Sequence, residues 1–468
     1  MANPQLNGLS EIYTFFRTNT TPIYFVSPTS YNLLGLDQWV NNFEYINYFD
    51  SFDGYHPRVF IPTLSERPEF RSMEDINNYL LGHWEVADLI RRRGGKGKAL
   101  LVMFDEKTEK LAADLGLEIA LPPAALCKRL DSKIESTRLG NEIGVASVPN
   151  AMGPVSSFEE LMQLAASEKL GNSLVVQTPY GDSGKTTFFI RSEADWDKNA
   201  DKMRDKQLKV MKYINHLPGT VEAVVTRHGT LVGPTMTDLI GFAELTPYKG
   251  GWCGNDVSTT VLPERVRVAV RKMCRKLGDR LYQEGYRGTL CVDYLIDTDT
   301  DEVYLGEINP RISGATAPTS LATGKYGGAP LMMFHLLELM DVDYTLDLAA
   351  VQARWSDFDN WSQLMLKQTA DKVELITKAP TSGVWRLNDD GSIHFVRRAL
   401  DWHSVGDEHE AFYLRIYGVG EYRYYGTDLG ILIARGRMQT DDQQLTERAK
   451  RWTAAINAQF EGIAPPPK

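Results

Sequence analysis

Apolar and polar positions along the first third of the chain follow two alternating periods. Residues 22–28 (PIYFVSP) form a short apolar run ended by proline, and 45–52 and 58–63 are two further β-rich runs. Residues 72–93 instead place Ile76, Leu80, His83, Val86, Ala87 and Ile90 on one helical stripe, which Gly94 and Gly95 stop. Residues 99–104 (ALLVMF) read as a buried strand, 106–115 as a helix and 117–120 as another strand. Strands alternating with helices predict a parallel α/β layer over residues 1–120. It contains no GxGxxG, so a dinucleotide fingerprint is absent.

The pattern changes three times after that. Residues 121–220 predict helices at 133–143 and from 156, and strands at 173–178, 186–191 and 208–214. Residues 221–344 predict strands at 221–227, 290–296 and 303–308 and a long helix over 264–285. A Gly/Ser/Thr/Pro-rich loop at 313–328 and an apolar helix at 330–340 complete that unit. Residues 345–468 predict short strands at 373–378, 383–387, 394–399 and 431–435 and a final helix over 441–459.

Composition narrows the classes. A length of 468 residues predicts roughly three domains, and 43% hydrophobic with 24% charged residues is globular. Four scattered cysteines without a CxxC pair argue against a zinc module and against a secreted disulfide framework. A net charge of −10 argues against a general nucleic-acid surface. No leader-like apolar run opens the chain, and no apolar stretch is long enough to span a bilayer. The expectation is a cytoplasmic protein with no membrane or nucleic-acid partner.

The strongest chemical signal is Glu307-Ile308-Asn309-Pro310-Arg311. The acidic turn at 297–302 makes strands 290–296 and 303–308 an antiparallel hairpin. A register folded about residue 300 sets Asp293 opposite 306 or 307, and the period of two puts Glu307 and Asn309 on one face. Two carboxylates and an amide oxygen make a hard-oxygen site suited to Mg²⁺ on nucleotide phosphates. Arg311 then stands where a planar cation can hold a phosphoryl group or an oxyanion. The same turn is no calcium loop, because Glu302 and Ile308 occupy the positions that need Gly and Glu.

Three weaker signals accompany it. Gly181-Asp182-Ser183-Gly184-Lys185-Thr186-Thr187 can bring backbone N–H groups to phosphate oxygens. It is not a Walker loop, since Pro179 stands at the first glycine and a strand follows. In isolation it competes with a plain hairpin turn. Lys133 opens a helix, and Lys212-Tyr213-Ile214 ends a strand before Pro218 and Gly219. Each of these two by itself is unremarkable.

Together these segments resemble the ATP-grasp superfamily over about residues 21–344. The resemblance implies an α/β and α+β architecture: an N-terminal parallel α/β domain (1–120), a central ATP-grasp subdomain (121–220), and a large subdomain with the Mg·ATP site (221–344). A β-rich C-terminal region (345–468) makes the whole most like the biotin-carboxylase-like branch. By resemblance, Asp293, Glu307 and Asn309 bind Mg²⁺, with Mn²⁺ as a substitute. Lys133, Gly181, Ser183, Gly184, Lys185 and Thr186 face the phosphates of ATP. Lys212 and Ile214 form the hinge that reads adenine, and Glu222 lies just beyond it. Two positions depart from the family: Gln177 stands where a lysine is usual, with Lys185 as compensation, and Met211 stands where a glutamate is common.

Biotin carboxylases follow the arginine with a Val-Glu pair whose glutamate is the base toward bicarbonate. Here Ile312-Ser313-Gly314 follows, so that base is missing. The Arg-x-x-Gly form resembles carboxylate–amine ligases, in which Arg311 and the Gly314 N–H serve an acyl phosphate and an oxyanion. The resemblance therefore implies an ADP-forming carbon–nitrogen ligase with small-molecule carboxylate and amine substrates; a homodimer is common in the superfamily. A bicarbonate-using enzyme and a non-catalytic ATP-binding regulator are the alternatives. Lys249 and Trp252, within the 246–256 loop, and Ser313 are candidate substrate contacts.

Overall fold

The computed structural model describes residues 5–64, 68–181, 186–258, 260–340, 342–355 and 358–465. Five parallel strands form the N-terminal sheet, in the spatial order Val59–Phe60, Phe43–Asn47, Ile23–Ser27, Gly97–Leu101, Leu117–Ile119. Every residue of Phe43–Asn47 and Ile23–Ser27 is buried, as expected of strands covered on both faces. The single helix expected over 72–93 is two, Met73–Gly82 and Trp84–Arg92. His83 sits between them in extended conformation, and its Nδ1 accepts the Glu85 N–H at 3.2 Å. That cap starts a second helix where the apolar stripe alone had suggested continuity.

A four-stranded antiparallel sheet follows, ordered Asn150–Pro154, Gln207–Lys212, Leu174–Gln177, Thr187–Ile190. Leu208 and Val210 join Leu161 and Trp196 in a core under helices Phe158–Ser167 and Glu193–Met203. The alternate residues Lys209 and Met211 lie on the other face.

The largest sheet has ten antiparallel strands: Val303–Asn309, Gly288–Asp297, His216–Thr226, Gly229–Ile240, Trp252–Val257, Trp361–Lys367, Asp428–Arg435, Glu410–Arg415, Gly383–Leu387, Ile393–Arg397. Gly229–Ile240 is absent from the sequence reading for a physical reason. It is buried on both faces, yet it carries Pro234, Thr235, Thr237 and Asp238, so neither an apolar run nor an alternation marks it. The 246–256 loop ends in strand Trp252–Val257, which pairs with Trp361–Lys367 and carries the sheet across the 344/345 boundary. The loop expected at 313–328 holds helix Thr316–Leu321 and a π-helical turn, Ala322–Tyr326. The Thr323 hydroxyl closes that turn, accepting from the Leu331 N–H at 3.0 Å and donating to the Thr319 carbonyl at 2.7 Å.

Helix Leu331–Leu339 is apolar nearly all round and buried, as a helix inside the molecule must be. Its His335 ties two units together: Nδ1 accepts the Thr289 N–H and Nε2 lies 2.9 Å from the Ala120 carbonyl. Burial pushes this imidazole down to about 4, so it is a neutral structural bridge. Among the described residues no helix is long and apolar enough to cross a membrane.

Candidate functional site

The site forms where the small sheet, the large sheet and helix Lys133–Glu142 meet. Strands Gly288–Asp297 and Val303–Asn309 pair so that Asp293 faces Glu307, as the hairpin predicts. Gly306 is an extra residue there, since Tyr294 pairs with Leu305. This bulge bends the strand and re-aims its groups.

Lys133 occupies the first turn of its helix, where a cation opposes the helix dipole. Its position serves the site instead. The ammonium is buried, pairs with the Glu307 carboxylate and donates to the Gly181 carbonyl at 3.1 Å. Burial works to raise Glu307, but the Lys133 charge and then Arg311 outweigh it and hold this carboxyl below its ordinary value. Asp293 goes the other way: burial first, then the charge of Glu307, push it up to about 7.

Asp293 accepts from Thr220 Oγ1 at 3.0 Å and from Asn309 Nδ2 at 3.1 Å. Thr220 Oγ1 is also 2.9 Å from Asp238 Oδ2, deep in the sheet. A hydroxyl has one hydrogen, so both contacts are hydrogen bonds only when one of these two carboxyls carries a proton. Burial, and then Asp293, raise Asp238 well above the usual carboxylate range.

The donor set fits Mg²⁺ in kind. Two opposed carboxylates and an amide leave the remaining coordination to phosphates and water, the usual arrangement for this ion. Burial and the charge of Glu307 raise Asp293, and a divalent cation relieves that repulsion. Among the described residues no group of three or more His, Cys, Asp and Glu side chains is placed to hold a metal ion, so this site offers two acids and an amide. The Asn309 amide oxygen accepts from Arg311 Nη1 at 2.6 Å, and the same Nη1 is 3.2 Å from Asp131.

The loop after Arg311 is held from beneath. The Glu222 carboxylate accepts from the Ser313 hydroxyl at 3.0 Å and from the Thr316 hydroxyl. Glu222, which the resemblance matches to a glutamate just beyond the hinge, therefore lies under the Arg311 loop. The Gly314 carbonyl accepts from Tyr31 at 2.7 Å and from Gln363 at 2.8 Å, and Gln363 also donates to Asn255, which donates to Asp238. Among the described residues the Gly314 N–H has no partner. A Cβ on Gly314 would lie 2.9 Å from the Trp252 ring, so the indole packs directly on this glycine.

Burial pushes Glu222 up to about 7, against the two hydroxyls that favour its charge. The folded chain therefore retains a proton that the unfolded chain releases above the ordinary value of 4.5. This group's stabilising contribution is full below that value and is lost as pH rises through about 7. Glu222→Gln is expected to flatten that slope. Urea unfolding at about pH 5 and about pH 7.5 should show the variant losing less stability than the parent, by up to roughly 3 kcal/mol. Equal slopes would mean that Glu222 titrates normally.

The remaining candidates fall into place unequally. Strands Leu174–Gln177 and Thr187–Ile190 flank the glycine loop as a strand–loop–strand unit. Ser183, Gly184 and Lys185 lie outside the described residues. Gly181 has φ +147°, and a Cβ there would lie 2.1 Å from the Thr186 hydroxyl, so only glycine fits. Gln177 donates to Thr187 at 3.1 Å. Ile214 packs with Val148, Met211, Val175, Leu295 and Tyr304 in a small apolar cluster at the hinge. Lys212 is exposed at the strand end, and Lys249 is exposed in a turn. On the N-terminal side, Arg311 lines a cleft of about 560 Å³ with Val102, Phe104, Asp105, Lys128 and Asp131.

Sequence reading missed Lys209, Thr220, Asp238 and Gln363. Lys209 was visible as a lone cation inside an apolar strand; the others carry no local signal. Lys209 pairs directly across from Gln177, and its Nζ donates to the Gly306 carbonyl at 3.2 Å. Burial lowers it to about 8, with Glu307 opposing and Lys133 adding to the shift.

No family model matches the chain. A curated [butirosin acyl-carrier protein]–L-glutamate ligase of Niallia circulans is 22% identical over 221 residues, 43% of this chain and 47% of that protein. The chain thus matches about half the length of that relative. The biotin carboxylase domain of Hydrogenobacter thermophilus 2-oxoglutarate carboxylase, solved as a dimer with MgADP and bicarbonate, superposes with a TM-score of 0.61 at 12% identity, covering 95% of this chain and 90% of that one. Carboxyaminoimidazole ribonucleotide synthase of Aspergillus clavatus, solved with ATP, gives a TM-score of 0.53 at 11% identity over 93% and 97% of the two chains.

Proposed function

We propose that this chain, which has the ATP-grasp fold in its biotin-carboxylase-like arrangement, is an ADP-forming ligase that joins a carboxylate to an amine. One observation carries the reading. Lys133, Asp293, Glu307, Asn309 and Arg311, from three separate segments, converge beside Gly181. The ADP- and ATP-bound neighbours and the ligase relative support it.

Asp293, Glu307 and the Asn309 amide would hold Mg²⁺, which when bound neutralises phosphate charge and orients the γ-phosphoryl group. Lys133 and the glycine loop position the polyphosphate. A substrate carboxylate attacks the γ-phosphorus, ADP leaves, and an acyl phosphate forms. The Arg311 guanidinium and the Gly314 N–H then stabilise the oxyanion as the amine displaces phosphate. Ile312 is fully buried and Ser313 is bound to Glu222, so neither of these residues provides the base that bicarbonate chemistry would require at this point.

The test is a phosphate-release screen over pairs of acids and amines, with product mass as the second readout. ADP and phosphate are expected only when the matching acid and amine are both present. Bicarbonate-dependent turnover without an organic acid would replace this reading with a carboxylase. Tight Mg·ATP binding with no turnover across the screen would favour a regulator.

A further inference from the structure

We infer that Lys209 is a second polyphosphate-binding cation of this site, facing the ligand of Lys133 from the neighbouring sheet. The inference rests on the nucleotide reading above and adds one contact to it. Lys209 lies in strand Gln207–Lys212 between Leu208 and Val210, both packed into the small sheet's core. The strand's period of two turns Lys209 to the opposite face, where it is 1% exposed.

An ammonium has three donors, and one buried without charge compensation is costly. Among the described residues the Lys209 ammonium has one hydrogen bond, to the Gly306 carbonyl, and no ion pair. That carbonyl is offered by a built feature. Gly306 is the extra residue of the bulge, and a Cβ there would lie 2.9 Å from the Asp293 carbonyl, so the approach requires glycine.

Two buried ammonium groups therefore flank one ionised carboxylate. Lys133 pairs with Glu307, and Lys209 is anchored one residue before it. When Glu307 turns to a metal, Lys133 loses its ion-pair partner, and Lys209 has none among the described residues. A compact anion with several oxygens restores the balance on both sides, whereas a single carboxylate engages one amine. A polyphosphate has that chemistry, and lysine serves it as a point charge.

The test compares wild type with Lys209→Met, which keeps the chain length and removes the charge. Mg·ATP and Mg·ADP binding are measured by calorimetry, adenosine binding by ligand-observed NMR, and melting temperature without nucleotide. Mg·ATP and Mg·ADP affinities are expected to fall roughly 10- to 100-fold, with adenosine changed less than about twofold. The nucleotide-free variant should melt at or above the wild-type temperature, because an uncompensated buried charge has been replaced by an apolar chain. Mg·ATP affinity within about twofold of wild type would overturn the inference. So would a parallel loss of ATP and adenosine binding with a lowered melting temperature, which is the signature of a structural lysine. Wild type without Mg·ATP affinity would instead sink the nucleotide reading and this inference with it. Should the methionine variant fail to fold, Lys209→Gln repeats the comparison.

Discussion

Arg311→Ala should lower ligation roughly 10²- to 10³-fold while leaving Mg·ATP affinity nearly intact. The guanidinium stands between two duties. One side rests on Asn309 Oδ1 and Asp131, and the other lines the cleft toward the N-terminal sheet. Its charge matters most when an oxyanion develops, so its loss should appear in kcat more than in the KM for ATP. Truncation also frees the Asn309 amide oxygen for a metal, so affinity for Mg²⁺ should hold or rise. Steady-state kinetics with separate titration of Mg·ATP distinguishes these effects. Ligation surviving in the variant would remove Arg311 from the reaction, and equal losses in binding and turnover would make it a nucleotide-holding residue.

Glu307→Gln is expected to abolish measurable turnover and also to weaken the free protein. Glu307 is both a candidate metal ligand and the sole ion-pair partner of Lys133 among the described residues. The amide leaves the Lys133 ammonium buried without a counter-charge. Removing one partner of a buried pair costs 3–5 kcal/mol, but the Glu307 side chain is 26% exposed and solvent screens part of that, so about 2 kcal/mol is expected. Asp293 should meanwhile return toward its ordinary value, because the Glu307 charge is the second cause of its rise. Urea unfolding without nucleotide measures the first effect, and phosphate release with the matched substrates measures the loss of turnover. A variant as stable as wild type would show that Lys133 finds its charge balance elsewhere. A variant retaining Mg²⁺-dependent turnover would take Glu307 out of the metal site.

The bond network around Asp238 explains why these effects should spread. Thr220, Asp238, Asn255 and Gln363 link the acid pair to the Gly314 carbonyl, and Tyr31 reaches the same carbonyl from the N-terminal domain. The candidate metal acids and the Arg311 loop are thus two ends of one hydrogen-bonded chain. Side chains held this way keep a fixed geometry, which positioning catalysis requires.

What could be read from the chain alone was local. The hairpin setting Asp293 against Glu307 needs only an acidic turn and the period of two. The glycine loop between two strands and the buried helix at 331–339 are likewise marked by short-range pattern. The strand Gly229–Ile240, buried from Thr230 to Leu239, was illegible, because its Pro234, Thr235, Thr237 and Asp238 imitate a loop. Glu222 could not be placed by its nearness to the hinge, because its partners Ser313 and Thr316 lie 91 and 94 residues away.

Sequence by itself determined the chemical inventory: two acids and an amide on one hairpin, an arginine two residues beyond, a lysine opening a helix, and a glycine-rich loop. Only the tertiary structure decided which of these meet. Lys133 reaches Glu307 across 174 residues and Lys209 reaches Gly306 across 97, contacts that exist only once helix Lys133–Glu142 and strand Gln207–Lys212 pack against the hairpin. The physical reason is that backbone periodicity acts over a few residues, whereas charge balance at a buried site is settled among whatever side chains packing brings together.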